Sequence, residues 1–429
     1  MNTLSYGAAG PEVQLLQLAL ERAGFPPGGL DGRFGARTRS ALRSFQQRAG
    51  LRVDGIAGPQ THRALRPWYT GYVDHTLRLG DSFYRLARQY GSSVAAIAAA
   101  NPDADPLKLI PGEKVTIPLP FDVVPTQIDW CSELLRFCCE GIAARYPAVS
   151  TGRIGKSVLG RPLHLLRLGR GTTRVLYNAT HHANEWITTP LLMKYVERLA
   201  KAQAEQKLIF GQDAAALLSQ RVLTVIPCVN PDGMDLVTGA VRSGADYAAA
   251  RAVAADFPGI AFPSGWKANV RGTDLNLQYP AGWEQAREIK FAQGFISPAP
   301  RDFVGPSPLS APESRAMYEF TRSYSPALTL SYHTQGCVIY WKYLDFDPPG
   351  ARAIAERFSA VSSYAVETTP YASGFAGYKD WYIQDFNRPG YTIEAGLGDN
   401  PLPISEFDRI YGENLGILTL GLSLARQDG

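Results

Sequence analysis

Four side chains able to handle a metal ion or a proton stand at the ends of strand-like runs. Arg174–Thr180 leads into His181-His182-Ala183-Asn184-Glu185, Ala327–Tyr332 runs into His333, and Gly390–Ile393 runs into Glu394. In α/β sheets, sites gather beyond the carboxyl ends of strands, so one sheet can assemble all of these groups. His182 and Glu185 are three residues apart, and one helical turn or tight loop aims both at a single ion. A distant His333 completes three protein ligands and leaves a fourth position for water, the open, catalytic form of a zinc site. Imidazole together with carboxylate favours zinc over magnesium or calcium, with cobalt and nickel able to substitute. His181 is a rival ligand because it stands four residues before Glu185.

The elements that must position these groups follow from pattern. Pro118-Leu119-Pro120 and Pro125 bracket a stiff linker, after which strand-like and helix-like segments alternate. A further strand, Val222–Pro227, leads into Asn230-Pro231-Asp232-Gly233, which reads as a turn. The spacing therefore predicts an α/β domain over residues 122–429.

Five motifs then fall in a fixed order: His182-Ala183-Asn184-Glu185-Trp186, Asn230-Pro231-Asp232-Gly233, Gly272-Thr273-Asp274-Leu275-Asn276, Ser331-Tyr332-His333 and Thr392-Ile393-Glu394. Together they resemble the zinc carboxypeptidase family over roughly residues 122–425. The resemblance implies a central mixed sheet flanked by helices and one zinc per chain. It makes His182, Glu185 and His333 the zinc ligands and Glu394 the general base. Arg271, in Lys267-Ala268-Asn269-Val270-Arg271-Gly272, is the candidate for stabilising the developing oxyanion.

Two departures narrow the substrate. The family clamps a free terminal carboxylate with an Asn-Arg pair, and the matching residues here are Asn276-Leu277. Leucine cannot hold a carboxylate, so simple removal of a C-terminal residue is not the expected reaction. Tyr371-Ala372-Ser373-Gly374 has one residue fewer between Tyr and Gly than the digestive enzymes show. Asn276 and Tyr371 are the candidate substrate-binding residues.

Two smaller modules come first. Leu30-Asp31-Gly32…Gly35…Thr38…Ala41-Leu42 reappears as Val53-Asp54-Gly55…Gly58…Thr61…Ala64-Leu65. Val13, Leu16, Leu20 and Ala23 form a 3.6-residue stripe before them, and Ala41, Leu42, Phe45 and Ala49 form a second. This all-α three-helix module, residues 1–66, closely resembles the peptidoglycan-binding helical domain. After a linker at Pro67–Tyr72, residues 73–119 read as β-α-α-β, with an N-cap at Asp81 or Ser82 and stops at Gly91 and Asn101-Pro102. The Gly80-Asp81-Ser82 opening and Pro111-Gly112…Val115-Thr116-Ile117-Pro118 closing resemble the LysM domain, a small α+β binder of N-acetylglucosamine-containing glycans.

Composition agrees with a folded multidomain protein: 429 residues, 45% hydrophobic, 19% charged, and a net charge of +4. The first module carries nine arginines against four acidic groups. Such a basic end suits an anionic polymer, or is a solvated arginine-rich face. Five cysteines with no zinc spacing are expected to be buried or half-buried thiols. Met1–Gly7 shows neither the basic start nor the apolar stretch of a secretory signal. A protein associated with the wall by another export route, or acting inside a sporulating cell, is the expected setting, unless numbering begins after processing.

Joining the halves predicts a zinc peptidase that hydrolyses the γ-D-glutamyl–diamino acid bond of wall stem peptides. Its partner is peptidoglycan, glycan through residues 1–119 and stem peptide through the catalytic domain, with no nucleic acid and no membrane span. The alternatives are a metallocarboxypeptidase acting on another peptide end, or a non-catalytic wall or spore-coat binder.

Overall fold

The structure, a computed structural model, describes residues 1–426 and divides into two compact units at Ser150/Thr151.

The first unit opens with α1 (Pro11–Arg22), α2 (Ala36–Arg48) and α3 (Pro59–Thr70). The repeated Asp-Gly…Thr segments are each clamped by a buried glutamine from the preceding helix. Gln17 accepts from the Gly32 amide (2.9 Å) and donates to Asp31 (2.8 Å) and Thr38 (3.1 Å). Gln46 repeats the pattern with Gly55 (2.9 Å), Asp54 (2.9 Å) and Thr61 (3.2 Å). A buried amide must be satisfied, which explains why Asp, Gly and Thr recur at matched positions.

Residues 67–70, read from sequence as linker, are instead the last turn of α3, and Tyr72 opens β1 (Tyr72–Thr76). Packing overrides the proline signal at Pro67. Trp68 meets Phe45 edge-on, and the fully buried Tyr69 stacks on Phe137 with centroids 4.9 Å apart. Gly71 ends the helix in the left-handed region, at φ 78°.

β1 pairs antiparallel with β2 (Lys114–Pro118), enclosing α4 (Phe83–Tyr90) and α5 (Val94–Ala100). Ser82 caps α4 by accepting from the Arg85 amide at 3.2 Å. Asp81, the other N-cap candidate, instead bonds His75 (2.9 Å) and the Arg78 amide (2.8 Å). α6 (Ser132–Arg145) completes the unit against α3, where Arg66 and Tyr72 donate to Glu140.

The second unit is built on an eight-stranded mixed sheet. In chain order its elements are β3 (Val149–Lys156), β4 (Pro162–Leu168), β5 (Thr173–Ala179), α7 (Thr188–Ala204), a short β6–β7 pair (Leu208–Ile209, Gln212–Asp213), α8 (Ala214–Gln220) and β8 (Arg221–Ile226). Then come α9 (Pro231–Val237), α10 (Ala245–Ala255), α11 (Trp283–Ala292), α12 (Pro312–Tyr324), β9 (Leu328–His333) and β10 (Val338–Tyr340). α13 (Ala351–Ser362), β11 (Ala365–Glu367), α14 (Tyr378–Phe386), β12 (Gly390–Glu394) and α15 (Phe407–Leu424) finish it. The sheet order is β11-β10-β12-β9-β5-β8-β4-β3.

The four strands read from sequence form its parallel centre: β8, β5, β9 and β12. They are near-continuous apolar runs because both faces are covered. On one face, Tyr177 donates to the α15 carbonyl of Leu418 (2.7 Å) and Tyr391 to that of Ala351 in α13 (2.8 Å). Leu176 and Ile226 on the other face join Tyr378, Trp381 and Tyr382 of α14 in a shared apolar cluster.

Asn230-Pro231-Asp232-Gly233, read as a turn, instead starts α9, with Asn230 accepting from the Gly233 amide at 3.0 Å. A Cβ on Gly233 would stand 2.7 Å from that of Ala183, so glycine there allows α9 to approach the His182–Glu185 turn. All five cysteines are free thiols, four buried and Cys337 half-buried. Among the described residues, no helix is long and apolar enough to cross a membrane.

Candidate metal centre and active site

Register places the chemistry. β9 and β12 run parallel with His333 opposite Glu394, both at the carboxyl ends of their strands. Beyond the end of β5, Ala183–Glu185 forms a single 3-10 turn that brings His182 and Glu185 back over the same sheet edge.

His182 Nδ1 lies 2.9 Å from Glu185 Oε1, and His333 Nδ1 lies 2.8 Å from Glu185 Oε2 and 3.1 Å from His182 Nδ1. A tetrahedral zinc with bonds of ~2.0–2.1 Å would hold its ligand atoms about 3.3 Å apart. The two ring nitrogens and the Glu185 carboxylate are thus gathered at nearly the separation of a shared coordination sphere, from a donor set that suits zinc. His182 gives its second nitrogen to Asp274 Oδ1 at 3.2 Å, an outer-sphere carboxylate that fixes the ring for metal binding. His181, the rival ligand, is fully buried and bonds the Tyr279 hydroxyl at 2.9 Å, outside the cluster.

Electrostatics around the cluster are strongly coupled. Burial alone would favour neutral groups, yet His182, Lys267 and His333 hold the Glu185 carboxylate well below its usual range. Burial also opposes the charge on Lys267, and Glu185 and Asp274 restore it, with Lys267 Nζ 3.3 Å from Glu185 Oε1. Glu394 is raised above the usual carboxylate range, chiefly by burial, against the pull of His333. A carboxyl so placed holds a proton more readily than an exposed one, which suits a group that takes up and releases a proton.

A cavity of about 220 Å³ joins these groups, lined by His182, His333, Lys267, Asn276 and Glu394 among others. Leu277 also lines it. Asn276 accepts from the Tyr378 amide at 3.0 Å through Oδ1, and its amide nitrogen has no partner among the described residues. Tyr371 is 67% exposed beside the rim residues Pro370 and Ser373, with its ring edge-on to Phe375 at 5.1 Å.

Arg271 is placed elsewhere. It points to solvent and faces the exposed Asp246 at 3.7 Å, outside the lining of the cavity. Asn269 accepts from the Arg271 and Thr273 amides (both 3.1 Å), folding the loop so that Lys267 faces the cavity and Arg271 does not. Lys267, and not Arg271, is the cation of this loop that lines the cavity. The signal was present, since Lys267 stands in the same short loop. Arg301, Lys290 and Asp302 also line the cavity, and they belong to no motif.

The comparisons agree with this arrangement. Residues 136–415 match the zinc carboxypeptidase model, residues 9–65 a putative peptidoglycan binding domain, and residues 75–118 the LysM domain. These front domains associate the chain with peptidoglycan and the cell wall. Gamma-D-glutamyl-L-diamino acid endopeptidase 1 of Lysinibacillus sphaericus is 44% identical over 279 residues, covering 65% of this chain and 68% of that protein. The uncharacterized protein YqgT of Bacillus subtilis is 38% identical over 276 residues, covering 64% and 72%. Bovine thrombin-activatable fibrinolysis inhibitor shares the fold, with a TM-score of 0.53 at 19% identity over 69% of this chain and 97% of its own. With a matching model across most of the second unit and a His–Glu–His cluster at the strand ends, the chain belongs to the zinc carboxypeptidase family.

Proposed function

We propose that the chain is a zinc-dependent peptidoglycan hydrolase that cleaves the bond between a γ-D-glutamyl residue and the next diamino acid of a wall stem peptide. One observation carries the reading. The 220 Å³ cavity and a second cleft of about 540 Å³ share Glu394, Lys267, Arg301 and Tyr340, so space continues beyond Glu394 in two directions. Leu277, where a terminal carboxylate clamp would stand, is apolar and packed into the core. Such a cleft suits a chain that passes through it. The relative of L. sphaericus supports the same bond, and tethered wall modules raise the local concentration of the substrate.

In this reading His182, Glu185 and His333 hold the zinc. When bound, zinc polarises the scissile carbonyl and makes water a better nucleophile at neutral pH. Glu394 accepts the proton of the attacking water and delivers it to the leaving amine. Lys267 sets a positive charge beside the oxygen that becomes negative. Asn276 offers its free amide N–H groups to the substrate, and Tyr371 covers it from the rim. Residues 1–119 hold the glycan of the wall in which the enzyme works.

The test is incubation of zinc-loaded protein with L-Ala-γ-D-Glu-diamino acid peptides, with the products mapped by mass spectrometry. Cleavage at the γ-glutamyl bond is the expected result. Intact peptide, or release of a C-terminal residue instead, overturns the reading.

A further inference from the structure

The cavity contains four cationic side chains, and three are committed to anions within the protein. Lys267 faces Glu185 at 3.3 Å, Lys290 faces Asp302 at 2.7 Å, and Lys379 faces Asp380 at 2.5 Å and the Lys342 carbonyl at 2.7 Å. Arg301 differs. Its Nε binds Asp302 Oδ2 at 2.5 Å, while its two terminal nitrogens have no hydrogen-bond partner among the described residues. The side chain is 45% exposed and lines both clefts that meet at Glu394.

Its position is held from several sides. Asp302 is fixed by Lys290, and its own amide donates to Asp274 Oδ2 at 3.2 Å. Asp274 in turn binds His182 through its other oxygen at 3.2 Å. The preceding Pro300 carbonyl accepts from the Lys267 and Ala268 amides at 2.8 and 2.9 Å. A chain of hydrogen bonds thus runs from a candidate metal ligand to a guanidinium whose free edge is open. Ordering costs for such a group are already met before ligand arrives.

We propose that Arg301 is a specificity-determining residue that holds a substrate carboxylate through its terminal nitrogens, supplying the anion recognition that Leu277 lacks. The inference rests on the γ-glutamyl reading above. A γ-linked glutamyl residue keeps its α-carboxylate free, and the diamino acid carries carboxylates of its own. A guanidinium fork matches either group with two parallel hydrogen bonds, which an ammonium does not reproduce.

Three peptides distinguish the sources: L-Ala-γ-D-Glu-diaminopimelate, the same peptide with the glutamyl α-carboxylate amidated, and the same peptide with the diaminopimelate carboxylates amidated. Each is measured for kcat/KM on wild type, Arg301→Ala and Arg301→Lys, and for equilibrium binding in a Glu394→Gln background, with zinc content recorded throughout. For the peptide amidated at the group Arg301 holds, wild type should lose roughly 30-fold, and Arg301→Ala should show no further loss. On the parent peptide Arg301→Ala should lose the same factor, mainly in KM, and Arg301→Lys should recover only part. Whichever amide behaves in this way names the carboxylate.

Equal losses on all three peptides, or none, overturn the assignment. If wild type cleaves no peptide, the γ-glutamyl reading fails while the binding series still decides the role of Arg301. Absence of any peptide binding overturns both.

Discussion

His182 and His333 are 151 residues apart in sequence, yet their Nδ1 atoms lie 3.1 Å from each other and each contacts a different oxygen of Glu185. A metal ion seated among these atoms would serve both rings and the carboxylate together. Zinc binding should therefore stabilise the fold. Ligand in ~1,000-fold excess over its Kd contributes about 4 kcal/mol, or roughly 8–16 °C in Tm for a domain of this size. Thermal scans with chelator and with zinc should show that shift in wild type and lose it in His333→Ala.

Glu394 sits opposite His333 in the β9–β12 register and belongs to the cavity rather than to the ligand cluster. Glu394→Gln keeps the shape while removing the proton acceptor. Bound zinc, read by elemental analysis, should remain at one per chain, and kcat should fall at least ~10²–10⁴-fold. Loss of zinc together with activity would instead make Glu394 a ligand.

Lys267 and Arg271 offer a sharper comparison, since they share one loop. Lys267→Ala should reduce kcat by about two to three orders of magnitude, as for removal of an oxyanion donor. Lys267→Arg should retain part of the activity, and Arg271→Ala should match wild type. Steady-state kinetics on one peptide substrate separates these outcomes.

The contrast in that loop shows where sequence reasoning stops. His182, Glu185, His333 and Glu394 were legible because strand ends are marked by a change from apolar to polar residues. The four parallel strands were legible because their runs are rich in β-branched, aliphatic and aromatic residues and buried along most of their length. The outer strands β3, β4, β10 and β11 were not, since partly exposed strands such as Val149–Lys156 carry mixed residues. Arg271 and Lys267 are both cations in a loop, and only the folding of that loop around Asn269 decides which one faces inward. Arg301 lies in an irregular segment with no motif, where sequence carries no periodic signal. The N-terminal repeat shows the opposite case, in which Asp31 and Asp54 recur because a buried glutamine contacts each.

Tyr69 and Phe137 predict how the first unit is held together. Tyr69 is fully buried, bonds His62 Nδ1 at 3.0 Å and stacks on Phe137 of α6. The family match begins at residue 136, inside α6, although that helix packs on α3 within the first unit. Tyr69→Ala should destabilise this unit by about 3–5 kcal/mol. A double-mutant cycle with Phe137→Ala should return a coupling of roughly 1 kcal/mol, measured by chemical denaturation.

Glu313 gives stability a pH dependence away from the metal centre. It lies buried in the first turn of α12, where Oε1 accepts from the Val158 amide at 2.9 Å and Oε2 from Asn269 at 3.3 Å. Burial pushes its carboxyl up from an ordinary 4.5 to about 7, and the nearby Asp232 adds to the shift. Below 4.5 the group is protonated in both folded and unfolded chains, and it adds no pH dependence. Between 4.5 and about 7 the unfolded chain ionises first, so the folded state loses stability as pH rises, by roughly 3 kcal/mol in all. Above 7 the loss is complete and constant. Glu313→Gln forfeits one acceptor to Asn269, which costs about 1 kcal/mol at every pH, but it removes the titration. Denaturation at pH 5 and pH 8 should show the difference between wild type and Glu313→Gln shifting in favour of the variant at the higher pH. An unchanged difference would mean that Glu313 is already ionised in the folded protein at pH 5.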